Sequence, residues 1–428
     1  LRKKYGGDVE KIREGVILQK DLLYFDFTAS GLAYKPIEQE ISKILLTYAN
    51  THSEVASSAI STSGYYAKAR QDLRKALEVD ESFYLLPCGT GSTGAIKKFQ
   101  ELLGLYIPPR TRQRYEINPI NLPVVLVGPY EHHSNEISFR EGLCEVVRIT
   151  LDNNDNIDLE LLEKQLQKYQ DREIIASFSV ASNVTGVLSD YKSIYKIVKK
   201  YGGIVCLDAA AASPYINIDC NYYDALFLSP HKLLGGVGSC GLLVIKKELC
   251  SINKPTFAGG GTVAYVSRIG HEFLSDFEML EDAGTPGILQ LIRASLAYNL
   301  RNEIGLENIA KKEEELKHYF GSRIKKMKGV KLYCSYKQEK LPIFSLNFIG
   351  INPYDVSKYL SEHYNIQTRA GCSCAGPYGH DLLHLKDGQN FEEKPGWLRI
   401  TIHFVHTKEQ IDILLEALKE AQEVLTKE

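Results

Sequence analysis

A chain of 428 residues, 44% hydrophobic and 24% charged, has an ordinary globular composition and is too long for one small core, so two domains are expected. Its formal net charge of −2 gives no basis for binding nucleic acid or an anionic membrane, and no apolar run is long enough to span a bilayer. Nine scattered cysteines are too sparse for a disulfide scaffold, and their odd number fits a reducing compartment. No signal peptide is read at the N-terminus, so a cytoplasmic location is expected. Because the sequence starts at Leu1 rather than Met, organellar targeting stays open.

Residues 1–20 are polar and read as an arm with a short helix. Tyr24-Phe25-Asp26-Phe27 reads as a strand, and residues 36–50 and 64–78 carry helical spacing of apolar positions. Leu85-Leu86 leads into Gly89-Thr90-Gly91-Ser92-Thr93-Gly94 and a helix through about Leu103. Residues 107–121 read as an exposed loop. Strands are then expected at 123–128, 145–150, 173–179, 203–208, 224–228 and 240–245, with helices at 133–142, 158–170 and 189–201. This alternation predicts a largely parallel, doubly wound α/β sheet. The Gly-rich segment 255–287 lacks periodicity and is too long for an idle loop. Beyond helix 288–303, helices at 306–326, 354–363 and 407–425 with strands near 330–334, 343–348 and 397–402 predict a smaller α/β unit.

The chemistry gathers at predicted strand ends, where open α/β sheets bind ligands. Asp208 ends one apolar strand, and Ser229-Pro230-His231-Lys232 follows another. Lysine is rarely buried unless paired or chemically employed. An acid and a lysine at neighbouring strand ends suggest a pyridoxal phosphate site, in which the lysine bonds the cofactor and the acid pairs with its pyridinium nitrogen. An ordinary ion pair is the other reading.

The Gly89–Gly94 segment suits a phosphate at a helix N-terminus, or is a plain glycine turn. It lacks a P-loop lysine. His132, in Glu131-His132-His133, could stack on a flat cofactor. The histidine pair is also a metal motif, but no further ligands stand at zinc-like spacing, so no metal is expected. Asn183 is either a turn residue or faces the ligand. Arg399, alone on a strand, suits a substrate carboxylate or an ion pair on the solvent face. Cys374, in a Gly-flanked loop after Arg369, is either activated by the nearby cation or an inert surface thiol.

Taken in order, these pieces are more specific than any one of them. The glycine loop, Glu131-His132, Asn183-Val184-Thr185-Gly186, Asp208-Ala209-Ala210, Ser229-Pro230-His231-Lys232, Gly284-Thr285-Pro286, Arg369-Ala370-Gly371-Cys372-Ser373-Cys374-Ala375 and Arg399 resemble the class V aminotransferase superfamily. Within it the chain resembles the cysteine desulfurase and selenocysteine lyase group, from about Tyr24 to the final helix. The resemblance implies a fold-type-I pyridoxal phosphate homodimer, with an arm over 1–20, a large cofactor domain over 21–290 and a small domain over 291–428.

It also implies roles. Lys232 would hold the cofactor covalently and move protons at the substrate α-carbon. Asp208 would bind the ring nitrogen and His132 stack on the ring. Thr90, Gly91, Ser229 and His231 would hold the phosphate, with Thr285 reaching it from the other subunit. Asn183 would lie near the ring oxygen and substrate. Arg369 and Arg399 would bind substrate, and Cys374 would take sulfur from L-cysteine, or selenium from selenocysteine, and pass it to an acceptor protein.

Two departures stand out. Ala211 occupies the position where the family usually has Gln, and Cys372 places a second thiol beside the nucleophile. A lyase, aminotransferase or epimerase without persulfide chemistry is the enzymatic alternative. A degenerate non-catalytic homologue is the other.

Overall fold

The computed structural model describes residues 9–51, 53, 55–115, 121–388 and 394–426. Among these residues the central sheet has seven strands, in the order Phe83–Cys88, Gly241–Lys246, Ala225–Leu228, Ile204–Asp208, Ile174–Ser179, Val124–Val127, Glu145–Arg148. The last five are mutually parallel. Gly241–Lys246 is antiparallel to both its neighbours, Phe83–Cys88 and Ala225–Leu228. Those two neighbours therefore share one direction. The carboxyl ends of six strands meet along a single edge, and Thr90, His132, Asn183, Asp208 and Lys232 stand at or just past strands that end there.

The strands are apolar on both faces, as a sheet sandwiched by helices requires. Val124, Leu126, Ile174, Ala176, Phe178, Val205 and Leu207 join one buried cluster. Their intervening neighbours Val125, Val127, Ile175 and Cys206 join another. This is the period-two alternation of a pleated strand. The helix Ile288–Ile304 packs into the first cluster through Leu291, Ala294, Ala297 and Tyr298.

A second, antiparallel sheet runs Val330–Leu332, Ile343–Phe348, Trp397–Thr401, Arg369–Gly371. Its own core holds Phe344, Leu346, Leu398 and Ile400 against Leu316, Phe320, Leu360, Leu414 and Leu418 from three helices. Alternation sends Trp397, Arg399 and Thr401 to the opposite face. There Trp397 joins the large core and Thr401 Oγ1 lies 2.7 Å from Thr28 Oγ1.

Several elements differ from expectation. Of Tyr24–Phe27 only Tyr24 lies in a strand, Leu23–Tyr24. Within the expected loop 107–121, Pro109–Tyr115 is a helix, and residues 116–120 fall outside the described residues. Arginines spaced along a short exposed helix bury no apolar face, so they leave no periodic signal. The segment 255–287 holds the hairpin Val263–Val266/His271–Phe273 and a short helix, Phe277–Leu280. The cysteine loop is bracketed by the strand Arg369–Gly371 and the helix Gly376–Leu383.

Candidate active site

The shared strand edge opens into a cavity of about 300 Å³. Asp208 is the last residue of its strand and accepts a hydrogen bond from the Ala210 amide at 2.9 Å. Burial raises its pKa, opposed by that bond and by the Lys232 charge. Lys232 ends a 3₁₀ turn, Pro230–Lys232, directly after the Ala225–Leu228 strand. Burial pulls its pKa down to about 8, with Asp208 opposing the shift. Desolvation disfavours the charged amine, so a neutral, nucleophilic form is reached well below the usual lysine range.

The glycine loop follows the Phe83–Cys88 strand. The helix Gly91–Leu102 starts there, and its first-turn amides have no acceptors within the helix. Ser92 N donates to Ser229 Oγ at 2.8 Å, which ties this loop to the lysine turn. Gly91 has φ +53°, and a Cβ there would meet His231 Cε1 at 2.8 Å and Ser229 Oγ at 2.9 Å. Gly241, on the reversed strand, lets the loop settle, because a Cβ there would lie 1.9 Å from the Gly91 carbonyl oxygen. Thr90, Gly91, Ser229 and His231 thus line one end of the cavity.

His132 follows the Val124–Val127 strand and caps the helix His133–Arg140, its Nδ1 accepting from Ser134 N at 3.1 Å. Burial, and then the charge of Lys232, pull its pKa down to about 4, so the ring is neutral near pH 7. Its neighbour Glu131 is buried and accepts from Ser179 N at 2.9 Å, Ser179 Oγ at 2.7 Å and Asn135 Nδ2 at 2.7 Å. This network locks the His132 turn to the end of the Ile174–Ser179 strand.

The small sheet contributes two arginines and a thiol. Arg399 is buried; it donates to the Asn183 carbonyl at 3.1 Å and to Asp26 Oδ1 at 3.0 Å. Arg369 donates to the same carboxylate, Nε to Oδ2 at 2.9 Å. Arg399 therefore has the expected ion-pair partner, but on the cavity side of its sheet rather than on a solvent face. Cys374 is exposed and lines the cavity. Ser373 and Cys374 both take left-handed backbone, φ +53° and +57°, a conformation that costs non-glycine residues of order 1–3 kcal/mol each.

The cavity thus gathers Thr90, Gly91, His132, Asn183, Asp208, Ser229, His231, Lys232, Arg369, Cys374 and Arg399. Thr285 lies elsewhere, exposed on the surface, where Asn50 Nδ2 donates to its Oγ1 at 3.1 Å. Asp26 has no role in the sequence analysis, and Glu131 enters there only as part of the Glu131-His132 motif. A single carboxylate among aromatics, Tyr24-Phe25-Asp26-Phe27, was the available signal for Asp26, because a buried acid needs a cation.

Two buried atoms facing this region, Asn183 Oδ1 and Arg399 Nε, have no hydrogen-bond partner among the described residues. Such atoms mark where a polar ligand completes the bonding. A glycine-gated helix N-terminus, a carboxylate and a lysine at strand ends, and these open atoms fit a phosphorylated pyridine aldehyde. The model for Aminotransferase class-V matches residues 23–414. The chain belongs to this family.

Relatives of this class-V aminotransferase family member match it over nearly its whole length. A protein named "Probable cysteine desulfurase" from Pyrococcus abyssi is 27% identical over 96% of this chain and 97% of its own. One of the same name from Staphylococcus aureus is 26% identical over 96% and 94%. Among solved structures, a cysteine desulfurase from Thermococcus onnurineus superposes with a TM-score of 0.81 at 24% identity, covering 98% of each chain. One from Escherichia coli gives 0.78 at 23% identity over 98% and 99%. The expected fold-type-I architecture holds, and family and relatives support a pyridoxal-phosphate-dependent enzyme. Among the described residues, no helix is long and apolar enough to cross a membrane, and no group of three or more His, Cys, Asp or Glu side chains could hold a metal.

Proposed function

We propose that this chain converts L-cysteine to alanine and leaves the sulfur on Cys374 as a persulfide. The observation that carries this reading is that Lys232, Arg399 and Cys374 line one cavity although they come from different sheets. Thr90, Gly91, Ser229 and His231 would hold the phosphate of pyridoxal phosphate, Asp208 its ring nitrogen and His132 its face. Bound there, the cofactor supplies an electron sink for the substrate α-carbon.

The protein's own residues do the rest. Arg399 and Arg369 orient the substrate carboxylate through charge-assisted hydrogen bonds. The amine of Lys232 removes and returns a proton at the α-carbon. Cys374, as thiolate, attacks the substrate sulfur. An S–S bond forms as the substrate Cβ–S bond breaks. The electron pair stays with the carbon fragment, which takes up a proton and leaves as alanine. L-cysteine plus the Cys374 thiol thus gives alanine plus the Cys374 persulfide, with sulfur oxidised and Cβ reduced. Because Cys374 is exposed, the persulfide is open to an acceptor protein. We also assign the active form to a homodimer, and divide the chain into an arm over 1–20, a large cofactor domain over 21–290 and a small domain over 291–428.

Incubating the holoenzyme with L-cysteine should release alanine and add one sulfur atom to Cys374 by mass spectrometry. Selenocysteine, run in parallel, decides which chalcogen is preferred. Alanine without modified Cys374, or keto acid instead of alanine, would move the assignment to a lyase or aminotransferase.

A further inference from the structure

His132 and His133 are adjacent but do different work. The ring of His132 lines the cavity. The ring of His133 turns to the cysteine loop, where its Nε2 accepts a hydrogen bond from Gly376 N at 2.9 Å. Its own backbone amide donates to the Cys374 carbonyl at 2.8 Å. One residue therefore grips the chain at Cys374 and again at Gly376.

This loop needs holding. Ser373 and Cys374 both have positive φ, a conformation that persists only where the surroundings over-determine it. Asn183 Nδ2 donates to the Ser373 carbonyl at 2.7 Å, and Trp397 Nε1 donates to Ser373 Oγ at 3.2 Å. Those two bonds end at Ser373. The His133 contacts tie Cys374 and Gly376 to the large sheet's edge, and further along the following helix Asp381 accepts from Arg148 at 2.6 Å. Gly376 suits the contact, since a Cβ there would already stand 3.1 Å from His133 Nε2. A neutral imidazole with its proton on Nδ1 is required for Nε2 to accept. Burial lowers the pKa of His133, with Glu136 opposing and Arg140 assisting, which favours that form.

We propose that His133 is a positioning residue: by clamping Cys374 through its amide and Gly376 through Nε2, it holds the thiol over the cavity. This rests on the reading of Cys374 as the sulfur acceptor. The clamp itself is a hydrogen-bond arrangement that can be observed without turnover.

The test uses full-length holoenzyme with His133→Leu, which removes the acceptor, and His133→Gln, whose amide oxygen can replace Nε2. Hydrogen–deuterium exchange is followed in a peptide covering Cys372–Gly379, and kcat and KM for L-cysteine are measured beside the cofactor's visible absorbance. In His133→Leu, exchange in this peptide should speed up by roughly 3- to 10-fold, the scale of one ordinary hydrogen bond. The kcat should fall by about ten-fold, with KM and absorbance nearly unchanged, because thiol placement and not substrate binding is lost. His133→Gln should restore both toward wild type. If His133→Leu does not fold, His133→Asn takes its place, since its side chain is too short to reach Gly376. Wild-type exchange in the variants that lack the acceptor, or a Gln variant no better than Leu, overturns the clamp. Absence of persulfide on Cys374 in wild type would instead count against the desulfurase reading, and leave the exchange result to stand by itself.

Discussion

Lys232 and Asp26 show how burial sets the behaviour of single residues at this site. Lys232 is held where its charge is poorly solvated, and its pKa falls from 10.5 to about 8. The neutral amine is the form that bonds an aldehyde, and its fraction grows as pH rises. The rate of cofactor attachment to the cofactor-free protein, trapped with borohydride, should therefore climb to a plateau with a midpoint near pH 8. Lys232→Ala should give no trapped adduct at any pH. A midpoint near the ordinary lysine value, or a trapped adduct in Lys232→Ala, would sink the role given to this amine. Asp26 answers a different electrostatic need, as a carboxylate shared by Arg369 and Arg399. Removing one member of a buried pair strands the other charge, at a cost of about 3–5 kcal/mol. Asp26→Asn should lower unfolding stability on that scale. In Asp26→Asn with Arg399→Gln the losses should fall short of their sum by about 1–3 kcal/mol. Strictly additive denaturation data would show that the pair is not coupled.

At the level of elements, sequence was most legible where burial imposes periodicity. The strands Ile174–Ser179, Ile204–Asp208 and Ala225–Leu228 are unbroken apolar runs, and each ends within about four residues of Asn183, Asp208 or Lys232. That is why the cofactor side of the cavity could be read in advance. The Arg369–Gly371 strand and the Gly376–Leu383 helix were not legible, since three and eight residues rich in glycine carry little pattern. Nor could spacing alone reveal that Asp26 meets residues 343 and 373 positions away. Cys372 and Cys374 illustrate the same limit. They look equivalent in sequence, but Cys372 packs against the large core while Cys374 is exposed at the cavity. The intervening left-handed turn sends the two thiols into different surroundings. Cys374→Ser should reduce alanine formation from L-cysteine to background while the cofactor spectrum stays intact. Cys372→Ser should keep most turnover and cost stability by about 1 kcal/mol, the usual size of a mild core change. Loss of turnover in Cys372→Ser with full turnover in Cys374→Ser would reverse the assignment of the nucleophile.

Across the whole molecule, one expected contributor stands outside the cavity. Thr285 is exposed beside Asn50, near a hairpin and loop that present Phe257, Tyr265, Val266 and Ile269 to solvent. Large apolar side chains exposed this close together mark an interaction surface more often than a free one. The cavity, meanwhile, has the exposed Cys374 on its wall. A second copy of the chain seated on this face would bury the apolar groups and could bring Thr285 to the phosphate end of the opposite cavity. Light scattering should then give the mass of two chains. Thr285→Val should weaken pyridoxal phosphate binding by roughly 10- to 100-fold, as a lost hydrogen bond to a charged group predicts. Ile269→Glu, which places a charge on the covered face, should shift the protein toward one chain and weaken cofactor binding along with it. The coupling of those two losses is the decisive part, because a surface threonine of no consequence to the site would leave cofactor affinity unchanged in both variants. A protein of single-chain mass that binds the cofactor normally with Val at position 285 would show that each cavity is complete within its own subunit.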